Sequence, residues 1–430
     1  MTSGEVDQAL AGTGASDVPA AVAHVYPGDS RVNGSGRLEI GGCDALELAR
    51  EFGTPAYVYA EDDLRSRARA TRAAFAQRCE RFEVLYASKA FPCTAALELF
   101  REEGLSVDVA SGGELHLALG AGFEPARICL HGNNKSDAEL QRALDVGVGH
   151  VIVDSFDELD RFERIAPGSG QRVLLRVAPG IEPATHEKIA TGQEDSKFGL
   201  PLALVPAAIE RCEAVGLQLG GVHAHIGSQV FALDVYDLLG ETLASIANFD
   251  TINVGGGFAV AYTRDQRPPA PADFAEAMVR ALPAGVKVLC EPGRSLVANA
   301  GVTLYTVGTV KEVPGVRTYV ATDGGMADNI RPMLYGAIYE ADIVDRMGDG
   351  ELCRIVGMHC ESGDVLVPEG SLREPRPGDV LVIPATGAYG HAMASNYNAV
   401  PRPPVVFCSG GDARLVVRRE TLDDLVLRDV

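Results

Sequence analysis

The feature that most constrains this chain is an alternation sustained between residues 84 and 290. Short apolar runs stand at Val84–Ala90, Leu105–Ala110, Ile128–Leu130, His150–Val153, Val173–Val177, Gly221–Ile226, Thr251–Val254 and Val288–Cys290. Helix-like stretches separate them, among them Gly113–Gly120, Ser136–Val146 and Leu202–Val215. Runs too short for a helix, each followed by a helical segment, are the pattern of parallel βα units. Eight of them predict a closed, TIM-like (β/α)8 barrel. The alternative is an open doubly wound sheet, but no G-x-G-x-x-G follows an early strand.

Outside this stretch the texture differs. From about residue 303 the runs Thr303–Val313, Arg317–Ala321, Cys353–Met358, Asp379–Pro384, Pro404–Cys408 and Arg414–Arg418 are strand-like with turns between them. They predict a C-terminal antiparallel β domain, a small barrel or sandwich, over residues 303–430. The barrel is expected over residues 55–302, and residues 26–54 are expected to pack on the β domain. The small, polar residues 1–25 read as a mobile N-terminal arm.

Composition narrows the partners. A formal charge of −21 argues against nucleic acid or an anionic membrane surface. No apolar run approaches the roughly 20 residues of a bilayer span, and no signal peptide is evident. The nine cysteines are dispersed without a C-x-x-C pair, which fits reduced thiols in the cytoplasm.

Polar residues fall at the C-terminal ends of the strand runs, where a barrel builds its active site. They are Lys89, Asp108 with Ser111, His131 with Asn133, Asp154, Arg176, His225 with Ser228, Gly255-Gly256-Gly257, and Glu291 with Arg294. Lys89 closes an apolar run. Beside apolar walls its ammonium would lose stability and its amine could attack a carbonyl, or it is a solvated lysine ending a strand. The three glycines allow backbone N–H groups close to an anion, or make a tight turn. His223 and His225 form an H-x-H on one strand face, but no third ligand has metal-site spacing, so no metal is expected.

The chain resembles the pyridoxal-phosphate-dependent decarboxylases of the alanine-racemase-like barrel fold, from about residue 30 to its end. The resemblance rests on Tyr86-Ala87-Ser88-Lys89-Ala90, His225-Ile226-Gly227-Ser228-Gln229, Gly255-Gly256-Gly257-Phe258 and Glu291-Pro292-Gly293-Arg294. It extends to Arg331-Pro332 with Leu334-Tyr335-Gly336, Cys360-Glu361-Ser362-Gly363-Asp364, and Gly387-Ala388-Tyr389-Gly390 before Ser395-Asn396-Tyr397-Asn398. Ser196-Lys197-Phe198-Gly199 matches a further family segment.

The resemblance implies roles for individual residues. Lys89 would bond covalently to pyridoxal 5′-phosphate, and His225 would stack on its ring. Ser228, Gly256, Gly257, Gly293 and Arg294 would hold the phosphate, and Glu291 would face the pyridine nitrogen. Arg294, Arg331, Tyr335 and Glu361 would grip the substrate, Cys360 would donate a proton, and Tyr389 would touch cofactor and substrate. The expected activity is decarboxylation of meso-2,6-diaminopimelate to L-lysine, the last step of lysine synthesis, in a homodimer with shared sites. Rivals are same-fold decarboxylases of ornithine, arginine or a secondary-metabolism amino acid. An acid at position 291 disfavours a racemase, and the retained Lys89, Cys360 and Glu291 disfavour a non-catalytic regulator.

Overall fold

The computed structural model describes residues 16–181 and 196–430. Two compact units share the chain. One comprises Arg65–Val260 and Arg267–Leu296; the other comprises the residues up to Leu64, Ala261–Gln266 and Val297–Val430.

The first unit is a closed parallel barrel. Its strands are Phe82–Ala87, Ser106–Val109, Ile128–Leu130, His150–Val153, Arg172–Ala178, Gln218–His223, Thr251–Asn253 and Lys287–Cys290. Each pairs in parallel with the next. The eighth pairs with the first through Cys290 and Val84, which closes the ring. All eight apolar runs of the sequence become barrel strands, because runs this short can bury themselves fully only as central strands.

Three successive barrel helices start with the same device. Ser111, Ser136 and Ser155 each accept a hydrogen bond from the backbone N–H three residues on, that of Glu114, Glu139 and Glu158. The recurrent S-x-x-E spells out where these helices begin, a signal that apolar periodicity does not carry. At Ser136 the box is complete, since the Glu139 carboxylate accepts from the Ser136 backbone at 2.9 Å. Gly147 and Gly216 end two helices in the left-handed conformation, at φ 76° and 79°.

The second unit is built around Gly301–Val313, a strand of 13 residues. One part of it pairs with Ala56–Ala60 and Val380–Ile383, and beyond an irregularity near Gly308 it pairs with Arg317–Thr322. Glu351–Val356 and Val365–Leu372 extend that side, and Val405–Ser409 with Asp412–Val417 extend the other. The strand Val365–Leu372 was not expected; Pro368 and Gly370 interrupt its apolar run.

The expected all-antiparallel pattern is corrected at two places. Arg317–Thr322 runs parallel to Glu351–Val356, and Ala56–Ala60 runs parallel to Val405–Ser409. Parallel neighbours need a long connection. The first pair has 28 residues between its strands, including the helix Arg331–Tyr335. The second has the whole barrel between its strands.

Two expected boundaries also shift. Ala56–Ala60, expected within residues 55–302, is a strand of the β unit. Residues 16–25, expected in a mobile arm, are packed: Ser16–Asp17 pairs with Arg31–Val32, and Val18, Val22 and Val25 are buried with Leu38, Ile40 and Val406. Three valines spaced through ten residues outweigh the local polarity of the segment. Residues 1–15 lie outside the described residues.

Candidate active site

Inside the barrel Leu85, Cys129, Ile152, Leu174 and Leu289 form one apolar cluster. A strand returns a side chain to the same face every second residue. Two positions further on stand Ala87, His131, Asp154, Arg176 and Glu291. A polar layer therefore follows the apolar one toward the strand C-termini. Asp108, His223 and Asn253, from the second, sixth and seventh strands, complete it, and all three are buried.

Glu291 is the hub. Its Oε1 accepts from Asn253 Nδ2 at 2.6 Å and lies 2.8 Å from His131 Nε2. Its Oε2 lies 3.2 Å from His223 Nε2. Burial alone would push this carboxyl up, but His131 and then His223 outweigh it and hold Glu291 well below the usual carboxylate range. His223 moves the other way. Burial lowers it to about 4 against the opposing pull of Glu291, so it is neutral near pH 7. Asp108 is raised to about 6, chiefly by burial; His131, 3.6 Å away, opposes the shift. Of the two acids sharing His131, Glu291 keeps the charge because it has three donors.

The glycine turn is a cradle with no room for side chains. A Cβ on Gly256 would lie 2.2 Å from the Glu291 carbonyl oxygen, and one on Gly257 would lie 2.7 Å from both Gly227 O and Tyr236 Oη. Gly255 and Gly257 have φ of 68° and 104°, conformations that favour glycine. Gly255 N–H donates to Asn253 Oδ1 at 2.9 Å, and Tyr236 Oη donates to Gly256 O at 2.8 Å. Gly256 N–H donates to His225 Nδ1 at 3.1 Å, which fixes the imidazole against the turn. Burial, then the Lys89 charge, lowers His225 well below its ordinary range, so the ring is neutral.

Ser228 Oγ accepts from Arg294 Nη2 at 2.8 Å and Nε at 3.1 Å, leaving its O–H to donate elsewhere. Gln229, at φ 61°, ties this loop to the next with two hydrogen bonds to the Val260 backbone. A Cβ on Gly293 would come within 3.0 Å of Ala87.

The barrel unit thus brings together His225, Ser228, Gly256, Gly257, Glu291, Gly293 and Arg294. Lys89 requires a correction. It is exposed, not walled by apolar groups, because it lies past the strand end in the turn Ser88–Ala90. Its charge still reaches Asp108 and His225, which places it on the same rim.

The remaining expected residues belong to the β unit. Arg331 is buried, with its guanidinium 4.6 Å from the Tyr262 ring centre and donating to Tyr339 Oη. Tyr335 is half-buried, and Tyr389 is half-buried at φ 65°, a strained conformation for a bulky residue. Cys360 is the exposed cysteine of the nine, and Glu361 beside it is exposed. His131, placed at a strand end in the sequence but given no role there, is a partner of Glu291; Asn253, Tyr236 and Gln229 are the site-builders that were missed. The two-residue step from Cys129 in the apolar layer turns His131 into the barrel.

His131, His223 and Glu291 place their ligand atoms within 4.8 Å of one another. The separations of 2.8 and 3.2 Å are hydrogen-bond lengths, and each uses a ring N–H that a metal would have to displace.

A parallel barrel with a glycine cradle after strand seven and an ionised acid after strand eight defines an enzyme class that holds a phosphate-bearing aromatic cofactor. Residues 61–298 match the family model of the pyridoxal-dependent decarboxylase, pyridoxal binding domain. The diaminopimelate decarboxylase of Bacillus subtilis (strain 168) is 47% identical, over 94% of this chain and 97% of the relative. That of Mycobacterium tuberculosis (strain H37Rv) is 43% identical, over 95% and 98%. Among solved structures, diaminopimelate decarboxylase from M. jannaschii in complex with L-lysine superposes with a TM-score of 0.86. It is 34% identical, covering 92% of this chain and 96% of that one.

The chain belongs to the diaminopimelate decarboxylase family of the pyridoxal-dependent decarboxylases. Its cofactor is pyridoxal 5′-phosphate, and the residues present fit that group. The glycines present bare backbone where no side chain could stand, Ser228 keeps a hydroxyl donor beside Arg294, and Glu291 is an anion that can keep a ring nitrogen protonated.

Proposed function

We propose that the chain decarboxylates meso-2,6-diaminopimelate to L-lysine and carbon dioxide, the last step of lysine synthesis. The observation that carries the substrate assignment is Arg331. This buried guanidinium is boxed by Tyr262 and Tyr339, and no carboxylate lies within ion-pair distance of it among the described residues. A buried cation is costly without a counter-anion, so the site suits a substrate carboxylate. Diaminopimelate has one to spare at its distal end; ornithine has none. The names of the relatives and the lysine complex of the M. jannaschii enzyme support the same reading.

When bound, the cofactor supplies a protonated ring that accepts the electron pair left as carbon dioxide departs. The protein supplies position and charge. The Lys89 amine would hold the cofactor aldehyde covalently. Ser228, Gly256, Gly257, Gly293 and Arg294 would hold the phosphate, with Arg294 steering the Ser228 hydroxyl. His225, pinned by Gly256, would stack on the ring, and Glu291 would keep its nitrogen protonated.

Arg331 and Tyr335 in the β unit, and Arg294 in the barrel unit, would each bind and orient the substrate. Glu361 would receive the distal ammonium, Tyr389 would touch cofactor and substrate, and Cys360 Sγ would be the proton donor. The exposure of Cys360 and Glu361 supports a homodimer in which both serve the partner's site. The cytoplasm suits an enzyme with nine thiols and no disulfide among the described residues.

The test is direct. Purified protein reconstituted with the cofactor absorbs in the visible, and Lys89→Ala abolishes that band. Incubation with meso-diaminopimelate yields lysine; turnover of ornithine or arginine alone overturns the substrate assignment.

A further inference from the structure

We infer that His131 and His223, with Asn253, are positioning residues that make Glu291 a fixed anion with one lone pair left for the cofactor ring. The inference rests on Glu291 facing the ring nitrogen. A carboxylate has about four acceptor positions. Asn253 Nδ2 at 2.6 Å and His131 Nε2 at 2.8 Å occupy Oε1, while His223 Nε2 at 3.2 Å takes one position on Oε2. One position on Oε2 remains. The carboxylate therefore cannot rotate or accept a proton at Oε1 without giving up a buried hydrogen bond.

The cradle is itself braced. The His131 and His223 rings meet edge to face, with centres 4.9 Å apart and planes at 77°. His131 leads into a loop held by Lys135, whose buried Nζ donates to Gly132 O and Ile152 O, both at 2.7 Å, and to Glu158. Asn253 is shared in a second way, since its Oδ1 receives Gly255 N–H from the glycine turn. One side chain thereby couples the acid to the phosphate cradle.

An acid buried this deeply without such donors would take up a proton and lose its grip on a ring N–H. His131 comes from strand three and His223 from strand six, so the closed barrel is what brings them to Glu291.

The experiment compares pyridoxal 5′-phosphate with its carbocyclic analogue, in which C–H replaces the ring nitrogen. Dissociation constants are read from the absorbance of the bound ligand, independently of turnover. Wild type prefers the natural cofactor. His131→Leu reduces that preference about tenfold, with affinity for the analogue within about twofold of wild type, which shows the site still folded. His131→Gln, which keeps an N–H, recovers most of the preference. If His131→Leu does not fold, His131→Met, closer in volume, serves in its place. An unchanged preference in the folded His131 and His223→Leu variants overturns the inference. Glu291→Gln is the separate control: if it leaves the preference unchanged, the placement of Glu291 on the ring nitrogen falls instead.

Discussion

At the scale of single residues, charge placement decides function, and two groups can be tested in isolation. Arg331→Leu removes a charge-assisted contact worth about 1.5–3 kcal/mol, so kcat/KM for diaminopimelate falls about 10- to 100-fold. The visible absorbance of the bound cofactor stays, which separates substrate grip from cofactor loss. Asp328 contributes a pH dependence to the stability of the β unit. Its buried carboxyl accepts from Tyr305 Oη and from Gly325 N–H at 2.8 Å, yet burial raises it from 3.8 to about 7. A folded-state pKa above the unfolded one means that the protonated acid stabilises the fold. That contribution is complete below about pH 4 and lost as pH climbs through 7. Chemical denaturation of wild type should therefore lose stability across this window, while Asp328→Asn flattens the loss. A variant with the wild-type slope would place the titrating group elsewhere.

At the scale of elements, the barrel helices owe their starting points to three serines. Ser111→Ala, Ser136→Ala and Ser155→Ala each leave a backbone N–H without its cap and cost about 1 kcal/mol. Thermal unfolding should drop by roughly 2–4 °C for each. The Ser136 variant should lose most, because its capping box works in both directions. The same elements set the active site. Strands three, four, five and eight each end where the inward side chain turns from apolar to polar, so one residue of register would swing His131, Arg176 and Glu291 out of the barrel.

At the scale of the whole molecule, the proposed homodimer predicts complementation. Lys89→Ala and Cys360→Ala are each inactive alone. If the two residues serve one site from different subunits, a mixed dimer holds one site with both native residues. Unfolding and refolding an equal mixture gives half mixed dimers, and so about a quarter of wild-type activity. Activity that never exceeds the two separate variants would mean that each subunit completes its own site.

The barrel was legible in the sequence because its rule is local. Eight apolar runs separated by helical segments can satisfy backbone and burial together in few other ways. The glycine turn, His225 and Glu291 were legible for a related reason, since strand C-termini are where barrel chemistry collects. The Val365–Leu372 strand was not, because Pro368 and Gly370 break its apolar run; nor were the two parallel pairings of the β unit and the packing of residues 16–25 on Val406, because each of those depends on a partner far along the chain. The same holds for the environment of Lys89 and the company of Glu291. Local sequence determined which residues are apolar, which turn, and which carry charge. Tertiary structure alone decided that an acid from strand eight meets histidines from strands three and six, because only closure of the barrel brings those strand ends together.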